Sequence, residues 1–225
     1  MQVRSISFTH PGHQRKNNED SFYSSDERGL WIVCDGMGGH QEGNFASHLV
    51  TDIFEQMQMR GSFDDKINDI NAQIYNIHRI LQKKAHKIGN NVVIGTTLVL
   101  LLIEGNRGAC IHSGDSRCYI YRNGKLATVT QDHAKTVINQ GEERKMLTRA
   151  LSAPGELSIE IKRFSVQSDD IFLLCSDGFY DNLSSAKIKN NLVNGQIEQS
   201  LKKMSALVLD GVADDNLTAS IIEVV

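Results

Sequence analysis

Leu30-Trp31-Ile32-Val33-Cys34-Asp35-Gly36-Met37-Gly38-Gly39-His40 reads as a buried strand that runs straight into a carboxylate and a glycine-rich turn. Two further apolar runs end in the same way: residues 109–113 lead into Gly114-Asp115, and residues 171–176 into Asp177-Gly178. Asn18-Glu19-Asp20 adds an acidic spot near the N-terminus, and Asp214-Asp215-Asn216 adds one that leads into the apolar run 217–225. If these groups converge, like charges about 4 Å apart cost on the order of 4 kcal/mol even at a near-surface effective dielectric. Several such pairs rival the whole stability of a domain, roughly 5–15 kcal/mol. A divalent cation turns that repulsion into ligation, so the chain is read as building a carboxylate-lined metal centre.

The frame around these turns is ordinary. The 225 residues are 40% hydrophobic with only two prolines, enough for one good-sized core and without a linker between two. A net charge of -3, segregated into no long run, suggests neither a nucleic-acid groove nor a polybasic membrane patch. The basic stretch 79–87, with Lys83-Lys84, reads as a solvated helix face. The first twenty residues lack an apolar signal region, and the longest apolar run, 97–103, is far too short to cross a bilayer. A cytoplasmic protein is expected. Cys34, Cys110, Cys118 and Cys175 sit inside strand-like runs without zinc-type spacing, as buried reduced thiols would.

Along the chain, residues 1–35 read as three strands, residues 44–59 as a helix with Phe45, Leu49, Ile53, Phe54 and Met57 at helical spacing, and residues 64–88 as a second helix. Strands follow at 97–103, 108–113, 117–121 and 125–130, the last two joined by a hairpin turn at Arg122-Asn123-Gly124. A polar stretch, 131–145, interrupts the strands; 159–164 and 171–174 resume them, short helices follow at 185–193 and 198–209, and 217–225 closes as a strand. Helices cluster between hairpin-linked strands instead of alternating with each strand, which favours an α+β antiparallel layered architecture over a parallel doubly wound sheet.

The glycine-rich turn is not a dinucleotide loop, because the third glycine of that pattern would fall at Gln41. Its glycines let backbone approach a ligand closely, and Gly36 can offer its carbonyl to a cation. Asp177 repeats the arrangement and Asp215 completes a hard-oxygen site suited to Mg²⁺ or Mn²⁺, with Glu19 and Asp20 adding water-mediated contacts. No cysteine is followed by arginine at the spacing of a thiolate phosphatase loop, and there is no nucleophile elbow around Ser116.

Gly12-His13-Gln14-Arg15-Lys16-Asn17-Asn18-Glu19-Asp20-Ser21, the Asp35 to His40 loop, Gly95-Thr96-Thr97, Gly114-Asp115-Ser116-Arg117, Leu147-Thr148-Arg149-Ala150-Leu151, Ser176-Asp177-Gly178 and Asp215-Asn216 resemble, in order, the motifs of the metal-dependent type 2C Ser/Thr protein phosphatases, bacterial single-domain branch. The resemblance implies one catalytic domain over residues 1–225, an antiparallel β-sandwich of two sheets flanked by helices on both sides. It implies a centre of two Mn²⁺ or Mg²⁺ ions. Asp35 bridges both ions with the Gly36 carbonyl on one, Asp177 and Asp215 complete the other, and Glu19 and Asp20 hold metal-bound waters. Arg15 clamps the phosphate, and a third, weaker ion uses Asp115, Asp177 and Asp181. The activity implied is hydrolysis of phosphoserine and phosphothreonine on proteins by a hydroxide bridging the two ions, reversing a Ser/Thr kinase, by a monomer that binds neither nucleic acid nor membrane.

The chain departs from the pattern in two places. Met37 stands where some relatives carry a histidine proposed to protonate the leaving alkoxide, so that proton comes from a metal-bound water or another group; His40 is a candidate but reads more readily as a polar surface histidine. The flap, around 131–146, is short, which predicts loose peptide selectivity or selectivity set by a partner. Gly95-Thr96-Thr97 and 147–151 are read as packing segments, Trp31 and Phe172 as core, and His10, His48, His78, His86, His112 and His133 as structural or exposed. The rival from another class is a catalytically silent, metal-bound module that recognises a phosphoprotein. It would be expected to lose a central acid, and Asp35, Asp177 and Asp215 are all kept. A nucleotide phosphatase or nuclease would want an aromatic or basic channel, which the sequence does not show.

Overall fold

Among the described residues every strand pairs antiparallel. In chain order the elements are β1 (Val3–His10), β2 (Asp20–Ser25), β3 (Leu30–Met37), α1 (Glu42–Gln56), α2 (Phe63–Ile88), β4 (Gly95–Thr96), β5 (Leu98–Glu104), β6 (Arg107–Ser113), β7 (Arg117–Arg122), β8 (Lys125–Thr128), β9 (Ala134–Asn139), β10 (Glu142–Leu147), β11 (Glu160–Ser165), β12 (Ile171–Cys175), α3 (Asp177–Tyr180), α4 (Ser185–Asn191), α5 (Ile197–Leu209) and β13 (Leu217–Val224). The structure, a computed structural model, describes residues 1–38, 42–89, 92–139, 142–153 and 156–225.

One sheet has the order β1-β13-β12-β7-β8; the other runs β11-β6-β5-β3-β2, with β4 beside β3. Alternation along the strands builds the layers. From β3, Trp31 and Val33 point between the sheets, where they meet Val99, Leu101, Phe172, Leu174 and Ile222. Leu30, Ile32 and Cys34 point the other way, onto α1 and α2. From β12, Ile171, Leu173 and Cys175 face α4 and α5. The result is the four-layer αββα sandwich that the sequence led us to expect. Each fully buried apolar side chain contributes roughly 1.5–3 kcal/mol. Three such clusters give the scaffold enough stability to hold mutually repelling groups at its rim.

Local rules explain the elements. Ser62 and Asp65 form a reciprocal capping box that starts α2, whose buried stripe runs Ile67, Ile70, Ile74, Ile77, Leu81. Asn123 and Gly124 both have positive φ, 52° and 72°, the requirement of a tight two-residue hairpin turn. Two expectations need correction. On α1 the buried stripe is Ala46, Val50 and Phe54; of the expected residues only Phe54 lies on it, while Phe45, Leu49, Ile53 and Met57 flank it, partly covered. The stretch 131–145, read as an interruption, contains the β9–β10 hairpin, a separate two-stranded ribbon. Lys135, Thr136, Lys145 and Met146 are exposed on it, so no apolar alternation announces the strands.

The pairing register decides where the site lies. Asp20 at the start of β2 is directly opposite Asp35 near the end of β3. The end of β12 pairs with the start of β13, Cys175 against Ala219, and the Ser176 N–H continues the ladder to the Thr218 carbonyl at 3.0 Å. Asp177 and Asp215 therefore leave adjacent strand ends, at the same edge of the sandwich as Asp20 and Asp35.

Candidate metal centre

A cleft at that edge is lined by Arg15, Glu19, Asp35, Gly36, Asp115, Lys145, Asp177 and Asp215. Every aspartate and glutamate predicted for the two-ion site is thus at the cleft or, for Asp20, directly beneath it. Like charges facing each other across a strand pair are destabilising, and Asp20 and Asp35 are such a pair. Their carboxyls respond. Burial pushes Asp35 well above the usual carboxylate range, and Asp20, Asp177 and Asp115 push it further. Burial raises Asp20 to about 7 against the opposing hydrogen bonds of Ser176 and Thr218. Asp177 is lifted to about 6 by burial and then by Asp115 and Asp215.

The donors fit divalent cations. Asp20 Oδ2 accepts the Ser176 hydroxyl at 2.7 Å, which leaves Asp20 Oδ1 buried with no hydrogen-bond partner; Asp177 Oδ1 is in the same state. Buried carboxylate oxygens without a donor are costly, and hard-oxygen ligation satisfies them. Arg15 reaches in from the rim, its Nη2 donating to Asp215 Oδ2 at 2.8 Å.

Backbone and hydroxyl groups hold these acids in place. The Asp35 N–H donates to Thr97 Oγ1 at 2.9 Å, while the Asp35 carbonyl accepts from the Thr97 N–H at 2.8 Å and from Thr96 Oγ1 at 2.9 Å. Thr96 is in turn bridged to Leu151, which gives the Gly95-Thr96-Thr97 and 147–151 segments a more specific task than packing: they clamp the Asp35 backbone. Asn216 ties the N-terminal loop to the centre, donating to the Pro11 and Asn17 carbonyls at 2.9 Å each and accepting from the Glu19 N–H at 2.7 Å. Both Asp-Gly turns need glycine for close approach. A Cβ on Gly36 would lie 2.1 Å from the Gly43 carbonyl oxygen, and one on Gly178 would lie 2.1 Å from that of Asn216.

Asp115 and Asp181, which the resemblance groups with Asp177 around a third ion, both act on the Asp177 carboxyl. Asp115 is buried at the cleft, but its Oδ2 is 2.6 Å from Lys145 Nζ, and Asp181 is exposed and lines no part of the cleft. Met37 lines the cleft and offers no proton; Gly39 and His40 lie outside the described residues.

His112, His133 and Glu160 form a second cluster, their ligand atoms within 4.8 Å of one another. Hydrogen bonding argues against an ion there. His133 Nδ1 accepts the Gly114 N–H at 3.2 Å, so its proton is on Nε2, which donates to Glu160 at 3.3 Å. His112 Nε2 donates to the Gln131 carbonyl at 3.1 Å. Both Nε2 atoms carry protons, and the Arg149 guanidinium 3.2 Å from His133 Nε2 would repel a cation. Burial lowers both imidazoles' pKa, which keeps them neutral. The trio braces the Gly114-Asp115 turn, and the two buried histidines are structural, as expected.

The sequence profile described as protein phosphatase 2C matches residues 10–220. The chain belongs to the protein phosphatase 2C family. It is 30% identical over 226 residues to the serine/threonine protein phosphatase PstP of Mycobacterium tuberculosis, covering 95% of this chain but 43% of PstP, so it spans under half that protein's length. Among solved structures of protein phosphatase 2C type, it is similar to PppA of Pseudomonas aeruginosa, described as a key regulatory component of T6SS, with a TM-score of 0.91, 30% identity and coverage of 99% and 98%. It is also similar to the PstP catalytic domain in complex with two manganese ions, with a TM-score of 0.82, 28% identity and coverage of 100% and 99%.

Proposed function

We propose that this chain removes phosphate from phosphoserine and phosphothreonine on proteins, using two Mn²⁺ or Mg²⁺ ions, and so opposes a Ser/Thr kinase. The observation that carries the reading is the buried set of carboxylates with orphaned Asp20 and Asp177 oxygens, set under a cleft whose rim bears Arg15. Membership in a family whose relatives are Ser/Thr protein phosphatases supports phosphoserine and phosphothreonine as the substrate class of that cleft.

Asp35, with the Gly36 carbonyl, Asp177 and Asp215 would hold the ions directly, and Glu19 and Asp20 would hold waters on them. When bound, the two ions supply an acidified water for in-line attack on phosphorus and neutralise phosphoryl charge. The chain's own residues do the rest. Thr96 and Thr97 fix the Asp35 backbone, Ser176 fixes the orientation of Asp20, and Asn216 holds the loop that carries Glu19. Arg15 is on the solvent side of Asp215, where its guanidinium can pass from that carboxylate to two phosphoryl oxygens as substrate enters. The four buried free cysteines support a reading of the protein as cytoplasmic.

Incubating the protein with Mn²⁺ and either a phosphothreonine peptide or a nucleotide tests the proposal. Peptide hydrolysis that is abolished by chelation and by Asp177→Asn is expected. Peptide binding without turnover would instead support the silent module, and preference for the nucleotide would overturn the substrate class.

A further inference from the structure

Lys145 has no part in the two-ion reading, yet it reaches the floor of the same cleft. It stands on β10, and its Nζ lies 2.6 Å from Asp115 Oδ2, 2.6 Å from the Tyr180 hydroxyl and 3.7 Å from Asp132 Oδ2. Its partners are themselves fixed. The Tyr180 hydroxyl donates to the Asp115 carbonyl at 3.0 Å, and Asp132 takes two bonds, 2.9 and 2.8 Å, from Arg117, whose guanidinium lies over the Tyr180 ring at 3.6 Å. Asp115 is 4% exposed, so its charge has to be met from within the protein.

A third divalent ion fits poorly here. It would have to share Asp115 with an ammonium already at hydrogen-bond distance, and Asp181, though near enough to act on Lys145, is exposed and does not line the cleft. We propose that Lys145 is a built-in monovalent cation: it takes the third ion's place at Asp115 and thereby ties the β9–β10 hairpin to the metal centre. This rests on the two-ion reading above. The hairpin would then stand at the cleft edge whether or not metal is present, and ion binding would stop at two.

The experiment is equilibrium dialysis of the whole chain against Mn²⁺, counting bound ions for the wild type, Lys145→Arg, Lys145→Ser and Lys145→Asp. Two ions are expected for the wild type and Lys145→Arg. A third is expected for Lys145→Ser at millimolar Mn²⁺, and at lower concentration for Lys145→Asp, which adds a carboxylate. Combining Lys145→Asp with Asp115→Asn should return the count to two. A wild type that binds three, or serine and aspartate variants that both stay at two, would overturn the proposal and leave the two-ion reading intact; a wild-type count below two would overturn both. As a readout independent of ions, amides of β9 and β10 should exchange about tenfold faster in metal-free Lys145→Ser than in metal-free wild type. Unchanged exchange would refute the tether. Lys145 is partly exposed, so these variants are expected to fold.

Discussion

Replacing Asp20 with Asn in the metal-free protein isolates the repulsion on which the site is built. Asp20 is 3% exposed, and its pKa rises from an ordinary 3.8 to about 7, through burial above all and then the nearby charges of Asp177 and Asp215. A folded-state value above the unfolded one means that the native state holds the proton more tightly. Stability is therefore undiminished at and below the unfolded value, is lost as pH climbs toward 7, and changes no further above it. A rise of about three pH units at 1.36 kcal/mol each gives a penalty of about 4 kcal/mol, an upper figure because Asp35 and Asp177 share the same electrostatic strain. Asn keeps the shape and can still accept the Ser176 hydroxyl, but it does not ionise. In EDTA at pH 8 Asp20→Asn should melt higher than wild type by roughly 8–16 °C, at about 2–4 °C per kcal/mol for a chain of this size. At pH 4.5 the gap should shrink to about 1 kcal/mol, roughly 2–4 °C, and below pH 3.5 it should all but vanish. His78, His112 and His133, whose lowered values add stability as pH rises, are present in both proteins and cancel in the difference. With Mn²⁺ at one hundred times the dissociation constant the gap should narrow, since ion binding then stabilises the wild type by about 2.7 kcal/mol. A difference in melting temperature that does not vary with pH in EDTA would refute the electrostatic account.

Three further perturbations follow from the geometry. Asn216→Ala strips hydrogen bonds from Pro11, Asn17 and Glu19 and should cost about 2–4 kcal/mol in urea unfolding, with faster amide exchange across residues 11–19. Gly178→Ala places a Cβ against the Asn216 carbonyl and should cost about 1–3 kcal/mol and weaken Mn²⁺ binding in calorimetry; wild-type affinity would show that the close approach does not matter. Arg15→Ala should raise KM for a phosphopeptide about tenfold without weakening Mn²⁺ binding, because the guanidinium bonds a carboxylate, Asp215, that the ions also need.

What could be read from the sequence were features that break a periodic pattern. A turn or cap accounts for one carboxylate at the end of a buried strand but poorly for several, so Asp35 and Asp177 stood out, and the topology then showed why they meet: β3 and β12 face each other across the interior. Asn123-Gly124 and the isoleucine stripe of α2 were equally plain. The β9–β10 ribbon was not, because strands solvated over much of their surface need no alternation. The four-residue α3 is too short for any period to show. Thr97 and Ser176 look like any hydroxyl beside a strand, and only the fold reveals that one holds Asp35 and the other Asp20. Lys145 was hidden for a similar reason: a lysine in a charged stretch reads as solvated until its partner, thirty residues earlier in the chain, is known.

The most direct test of the metal centre is anomalous diffraction at the manganese edge from crystals grown with Mn²⁺. Two peaks, flanked by Asp35 and reached by the carboxylates of Asp177 and Asp215, are predicted. No peak at that edge of the sandwich, or a peak at His112, His133 and Glu160 in its place, would contradict the account.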